Sequence, residues 1–356
     1  MTTISIPFKL NFEEIGEHFL NKDAISQINS IFAEHGAVLL RGFPLKTVED
    51  CADVAAQLIT TPTNYLGGTG VRQPVKGSVY TSSEFPPAIY LPIHNEMAYS
   101  DNFPERILFF CLETAEVGGQ TPICDCRRVL QRLPNELVDA IRTHGVRYIQ
   151  RLPKESEGFL RGWSETFNTE NTRIAEESSK AMGWNCTWES GGEMMVMTST
   201  RVGIRRHRHT GEEVWFNQIT GYHSSRNEHI LRITPQEFFG DLVASLKSDK
   251  MRASPIFRFI VGASSPLLLK LGSKMFPILI FLQKWYTPGK ISVNCTLGNG
   301  TPFTRKDIEA IWDAVMAETI VFNWQQGDIL FLDNLRFAHG RKPFRGKRQM
   351  LLSLGS

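Results

Sequence analysis

Three side chains in this sequence have the types and spacing to hold a divalent metal. His94 and Glu96 lie two positions apart in Ile93-His94-Asn95-Glu96. In an extended segment residues two apart share a face, so an imidazole and a carboxylate would point the same way. Alone, the pair says little: nine histidines in a chain about one-tenth acidic give roughly one such spacing by chance, and the sequence holds one. The second piece lies near the C-terminus, in GDILFLDNLRFAHGRKPFRGKRQMLLSLG, where an apolar run closes on Asp333-Asn334 and His339 follows. A solitary histidine after a strand is more often a hydrogen-bonded structural residue. Arg348, nine positions later, changes that reading. Two imidazoles and one carboxylate occupy one face of an octahedral iron and leave three positions open. Two of these can be filled by a keto acid such as 2-oxoglutarate, and the third by oxygen. The far carboxylate of that cosubstrate then needs a buried cation, and a guanidinium can pair with it bidentately while staying charged. Arg348 shares strand parity with Met350 and Leu352, which points it inward. Arg341 and Arg345, in the turn between, are expected to be solvated.

The elements around these residues must come from a chain of 356 residues, 42% hydrophobic and 21% charged, without biased tracts, which is enough to bury a substantial core. A net charge of +2 gives no support for a nucleic-acid partner. The 23 Phe and 7 Trp suit a β-rich core around a pocket. No internal repeat or low-complexity linker interrupts the sequence, so residues 1–356 are read as a single domain with insertions. Asp23 is placed to cap a helix carrying Ile25, Ile28, Ile31 and Phe32 and closed by Gly36. Ala37 to Leu40 reads as a buried strand ending at Arg41-Gly42, and Thr47 starts a capped helix through Leu58. Arg106 to Glu113 is a strand, punctuated by Gly118-Gly119. From about 127 to 190 the pattern is largely helical. Strands return at Val214 to Ile219, Gly327 to Asp333 and Gln349 to Leu354, and Thr304 caps a last amphipathic helix bearing Ile308, Ile311, Trp312 and Val315.

The six cysteines, at 51, 111, 124, 126, 186 and 295, show no paired framework, and a CxC without partner spacing is read as structural. The first residues lack a basic region followed by an apolar stretch, so reduced thiols in a cytoplasmic protein are the simplest expectation. Phe259 to Leu282 is strongly apolar but broken by Gly262, Pro266, Gly272 and Pro277, which favours a buried helix pair, a lid or a contact surface over a membrane span. The basic run Arg201 to His209 is either a solvated turn or an anion-recognition surface for a substrate carboxylate or an acidic carrier protein.

Five segments in order carry a family resemblance: HNE at 94–96, GGQTPICDCR at 118–127, VWFNQ at 214–218, CTLGNGTPF at 295–303 and DNLRFAHGRKPFRGKR at 333–348. With GAVLLRGFP at 36–44 they resemble the TauD/TfdA-type, or clavaminate-synthase-like, Fe(II)/2-oxoglutarate dioxygenases. Within these the chain is most similar to hydroxylases of peptide natural-product pathways, of the syringomycin aspartyl hydroxylase type. The resemblance implies a distorted double-stranded β-helix, or jelly roll, of mixed α/β and mainly β character. Helices would surround it, with a helical insertion at about 127–200. The apolar stretch at about 250–285 departs from the family pattern and reads as an insertion that could form a lid. The resemblance also implies Fe(II) on His94, Glu96 and His339, with O2 as oxidant, and 2-oxoglutarate held by Arg348 with the hydroxyl of Thr121. Asn217 and Gln218 would either line the substrate side or serve as structural polar residues of their strand. Halogenating relatives carry a small residue in place of the carboxylate; Glu96 is retained here, which implies oxygen chemistry. The expected substrate is a small, amino-acid-like molecule, free or carrier-bound, and the expected reaction hydroxylation. Desaturation, cyclisation or epoxidation follow from the same first step. A non-catalytic metal- and 2-oxoglutarate-binding sensor on the same scaffold and a zinc hydrolase are the competing classes; survival of all the working groups argues against the first, and the second leaves Arg348 unexplained and has no evident general base.

Overall fold

The strand Arg106–Glu113 divides the interior in two, because its apolar residues alternate in destination. Ile107, Phe109 and Cys111 enter one apolar cluster, while Leu108, Phe110 and Leu112 enter another. Eight residues of this composition cannot stay half-wet, so both faces must be covered. The computed structural model describes residues 9–11, 21–65, 72–82, 85–155, 162–238 and 293–356. In it Arg106–Glu113 is the middle strand of a seven-stranded sheet, flanked by Ile329–Asp333 and Gln349–Gly355. Ala37–Arg41, Lys9–Asn11, Val79–Thr81 and Pro74–Lys76 complete the sheet, which is antiparallel except for the pairing of Lys9–Asn11 with Ala37–Arg41.

The helices Lys22–His35 and Val48–Leu58 cover one face of this sheet through Ile28, Phe32, Cys51, Val54, Ala55 and Leu58. The first is capped by Asn21, whose side chain accepts from the Ala24 N–H; Asp23, expected as the cap, sits in the first turn instead. The second opens with the expected capping box, in which Thr47 and Asp50 each accept from the other's backbone N–H. Arg41 and Asp328 form a bidentate pair at 3.0 and 2.7 Å that ties the end of one strand to the start of another.

The other face of the large sheet shares its cluster with a four-stranded antiparallel sheet ordered Thr319–Ile320, Ile123–Asp125, Phe337–Arg341, Leu91–His94. The architecture is therefore mixed α/β with mainly antiparallel sheets. The segment from 127 to 200 differs from expectation. It holds the helices Cys126–Arg132, Asn135–His144 and Thr172–Ala181, but also the strands Val146–Pro153, Asn185–Glu189 and Met194–Arg201. These three strands join Val293–Leu297 in a further four-stranded sheet. Their period-two burial was hidden because Arg, Gln and Met share positions with the apolar residues. The strand expected at Val214 to Ile219 ends at Trp215; the backbone beyond it turns to serve the site. The apolar stretch 259–282, and all of the expected insertion at 250–285, lie outside the described residues. Among the described residues no helix is long and apolar enough to cross a membrane.

Candidate metal centre and cosubstrate pocket

His94 closes the strand Leu91–His94 and pairs in register with His339 on the neighbouring strand Phe337–Arg341. The two rings sit with centroids 4.7 Å apart. Glu96 lies two residues beyond His94, and one ligand-type atom from each of His94, Glu96 and His339 falls within 4.8 Å of the others. The His94 Nδ1 lies 2.8 Å from the Pro92 carbonyl, which fixes the proton there and leaves Nε2 to ligate. Burial, aided by His339, lowers the His94 pKa to about 4, so the ring is neutral, as a ligand must be. Burial works against ionisation of Glu96, yet Arg72 foremost, with His339 and His94, holds its carboxyl well below the usual carboxylate range. The edge of Phe109 packs on the His339 ring at 4.9 Å. Two imidazole nitrogens, one carboxylate oxygen and an apolar wall are a donor set that fits a ferrous ion.

A buried polar lattice aims these ligands. Asn334 accepts from the Glu96 N–H at 2.8 Å and donates to the Glu96 and Pro104 carbonyls. Asn95, fully buried between the first two ligands, donates to the Asn334 carbonyl and accepts from the Asn217 N–H. The lattice holds Met97 at φ 54°, a left-handed conformation that a non-glycine residue adopts only when its surroundings enforce it. Asn217 and Gln218, expected on the substrate side, belong to this lattice. The Gln218 amide donates to the Asn95 carbonyl at 2.8 Å, and the Asn217 amide bridges the Gly203 carbonyl and the Ile219 N–H. Their contacts support the ligand loop.

The strand bearing His339 and the turn after it zip against residues 116–125: Gly340 donates to Pro122, Lys342 to Gln120 and Gly119 to Pro343. This pairing carries Arg348 to Gly119, whose carbonyl accepts from Nε at 3.1 Å. Gly119 has φ 75°, and a Cβ there would come within 3.1 Å of the Arg348 side chain, so only glycine lets the guanidinium pass. Arg348 forms no ion pair among the described residues, and burial pushes its pKa down to about 10. It faces a cavity of about 200 Å3 whose walls include Gly119, Gln120, Trp324 and Met350. The three ligand side chains are not part of those walls. Trp324 lines the cavity and donates from its indole to the Thr121 Oγ1 at 3.1 Å, leaving the buried threonine its own O–H to donate.

Other expectations resolve differently. Arg341 is not solvated: it is 5% exposed and donates to the carbonyls of Phe85, Pro86 and Ile89, whereas Arg345 is exposed as expected. The basic run includes one strand of a hairpin, Ile204–Arg206 against Glu213–Trp215, and leaves Arg206, Arg208 and His209 exposed, as a solvated turn would. Arg201 donates to the Tyr99 and Gly183 carbonyls, Arg208 pairs with Glu105, and His207 bonds the Asp333 carboxylate at 2.8 Å. Cys124 and Cys126 are fully buried free thiols, structural as read. Arg72 escaped the sequence reading altogether: it donates to Glu96 at 2.7 Å from a distant loop, and no spacing signals it.

The profile of the "Taurine catabolism dioxygenase TauD, TfdA family" matches residues 9–247 and 281–354. The chain belongs to this family. It is thereby an oxidoreductase, with Fe(II), 2-oxoglutarate and O2 as its cofactor set. Among curated relatives, the "Dapdiamide synthesis protein DdaC" of Enterobacter agglomerans is 29% identical over 92% of this chain and 84% of its own length. A "Clavaminate synthase-like protein" of Arabidopsis thaliana is 26% identical over 92% of this chain and 83% of its own. Among solved structures, PvcB from Pseudomonas aeruginosa covers 93% of this chain and 79% of its own, with 12% identity and a TM-score of 0.45.

Proposed function

We propose that this dioxygenase hydroxylates an unactivated C–H bond of an amino acid or related small molecule, free or carrier-tethered, in secondary-metabolite biosynthesis, releasing succinate and CO2. His94, Glu96 and His339 hold the iron, and Arg348 with Thr121 holds the distal carboxylate of 2-oxoglutarate. Residues 1–356 act as one domain, and the two sheets that share a core are the walls of a distorted double-stranded β-helix. One observation carries the reading: two imidazoles and a carboxylate meet within 4.8 Å, while a half-buried guanidinium, without an acid partner among the described residues, lines a cavity beside Gly119. The kinship with a dapdiamide synthesis protein supports the metabolic setting.

When bound, the metal supplies the oxidative chemistry, and the chain supplies binding, orientation and exclusion of water. The His94 Nδ1 stays protonated on the Pro92 carbonyl, which presents Nε2. Asn334 grips the backbone of Glu96 on both sides, so its carboxylate arrives already oriented. Arg348 keeps part of its fork unspent on Gly119, ready for a carboxylate. Phe109 walls off the His339 ring from solvent.

The test is a turnover screen of the Fe(II)-loaded chain with 2-oxoglutarate, O2 and amino acids, free and carrier-bound, following succinate and product mass. A gain of one oxygen supports hydroxylation, and a loss of two hydrogens redirects it to desaturation or cyclisation. A chain that binds iron and 2-oxoglutarate but oxidises nothing in either set loses the substrate class. His339→Ala is expected to abolish metal retention, read by iron analysis, together with turnover.

A further inference from the structure

The described residues place a second guanidinium on the opposite footing from Arg348, against the metal-binding carboxylate itself. The side chain of Arg72 is 7% exposed, its Nη2 donates to the Glu96 Oε2 at 2.7 Å, and its plane lies 4.7 Å over the Tyr65 ring. Among the described residues its Nε and Nη1 are buried and have no hydrogen-bond partner. Of the five N–H groups on a guanidinium, the two on Nη1 and the one on Nε therefore await an acceptor. Natural structures rarely leave such donors unmet unless something fills the place.

We propose that Arg72 is the substrate-recognition residue of this site and that it takes a carboxylate on the substrate. The proposal rests on the oxygenase reading above and names the chemical class that reading leaves open. Formal charge points the same way. A ferrous ion, Arg348 and Arg72 together exceed Glu96 and the 2-oxoglutarate dianion by one positive charge, in a buried setting that penalises an unbalanced cation. A substrate carboxylate restores neutrality and supplies an acceptor to Nη1 or Nε. The Tyr65 ring beneath the guanidinium fixes its plane, so the open edge has one direction. Because Arg72 also touches Glu96, the bound carboxylate is placed beside the metal, and with it the carbons that follow.

The experiment uses the full chain, loaded anaerobically with Fe(II) and 2-oxoglutarate, whose metal–keto-acid absorption band reports cosubstrate binding before any turnover. Proteinogenic amino acids and their carboxamides are titrated as probes, and perturbation of the band gives each dissociation constant. At least one amino acid is expected to bind 10-fold or more tighter than its amide. In Arg72→Gln the band still forms at saturating Fe(II), but the preference for the acid disappears; Arg72→Lys restores part of it. Equal affinity for acid and amide in the wild type, or no response to any probe, overturns the proposal. So does loss of the band in Arg72→Gln, which would make Arg72 a support for Glu96 instead. Absence of the band in the wild type with Fe(II) and 2-oxoglutarate would instead sink the oxygenase reading itself.

Discussion

Arg341 and Arg348 stand seven residues apart at the two ends of one turn, the first buried and the second half-buried, and they meet opposite surroundings. Both stack on Phe344, at 5.2 and 5.3 Å from its ring centre. Arg341 is enclosed by carbonyls: Phe85, Pro86 and Ile89 take its two terminal nitrogens, and burial with the charge of Arg348 lowers its pKa to about 9. Among the described residues Arg348 makes one such bond, to Gly119, and the rest of its fork lines a cavity. The lesson is that a buried guanidinium is diagnostic only through what it lacks. Where backbone oxygens consume its donors it pins a loop, and where they do not it is set for an anion from outside.

If that contrast is right, truncating the two arginines should damage different properties. Arg341→Ala is expected to cost about 3 kcal/mol of stability, because it strips charge-assisted bonds from three carbonyls, and the loss should appear as a lower denaturant midpoint. Arg348→Ala should leave stability unchanged or raised, since it removes a half-buried charge that has no acid partner among the described residues, yet weaken 2-oxoglutarate binding by about 100-fold, on the order of 3 kcal/mol. Equal loss of stability in both variants would erase the distinction.

The acid limb sharpens the same contrast at the metal end. The unfolded chain accepts a proton on His94 near pH 6.5, whereas the folded chain accepts it only near pH 4. The metal-free protein should therefore lose stability as pH falls from about 6.5 to about 4, by about 3 kcal/mol, and His94→Gln should flatten that slope in urea melts across the range. The smallest effect concerns the support of Thr121. Trp324→Phe removes one indole hydrogen bond beside the cavity and should weaken 2-oxoglutarate by about 5-fold, on the order of 1 kcal/mol, in an equilibrium titration, with Thr121→Val giving at least as much.

What the amino-acid order determined by itself was local. A continuous apolar run of strand length and a capping box suffice to define Arg106–Glu113 and Val48–Leu58, because the signal and the structure it describes lie within one turn or one strand. The residue types at 94, 96, 121, 339 and 348, read with the resemblance, were enough to name a chemistry. Tertiary structure decided the rest. It spent Arg341 on three carbonyls while leaving Arg348 open, drew Asn95, Asn217, Gln218 and Asn334 into one lattice behind the ligands, and brought Arg72 to Glu96. None of these partnerships has a period or a spacing. Each depends on which backbone oxygens happen to lie near a buried donor once distant segments pack, and a one-dimensional pattern carries no record of that distance.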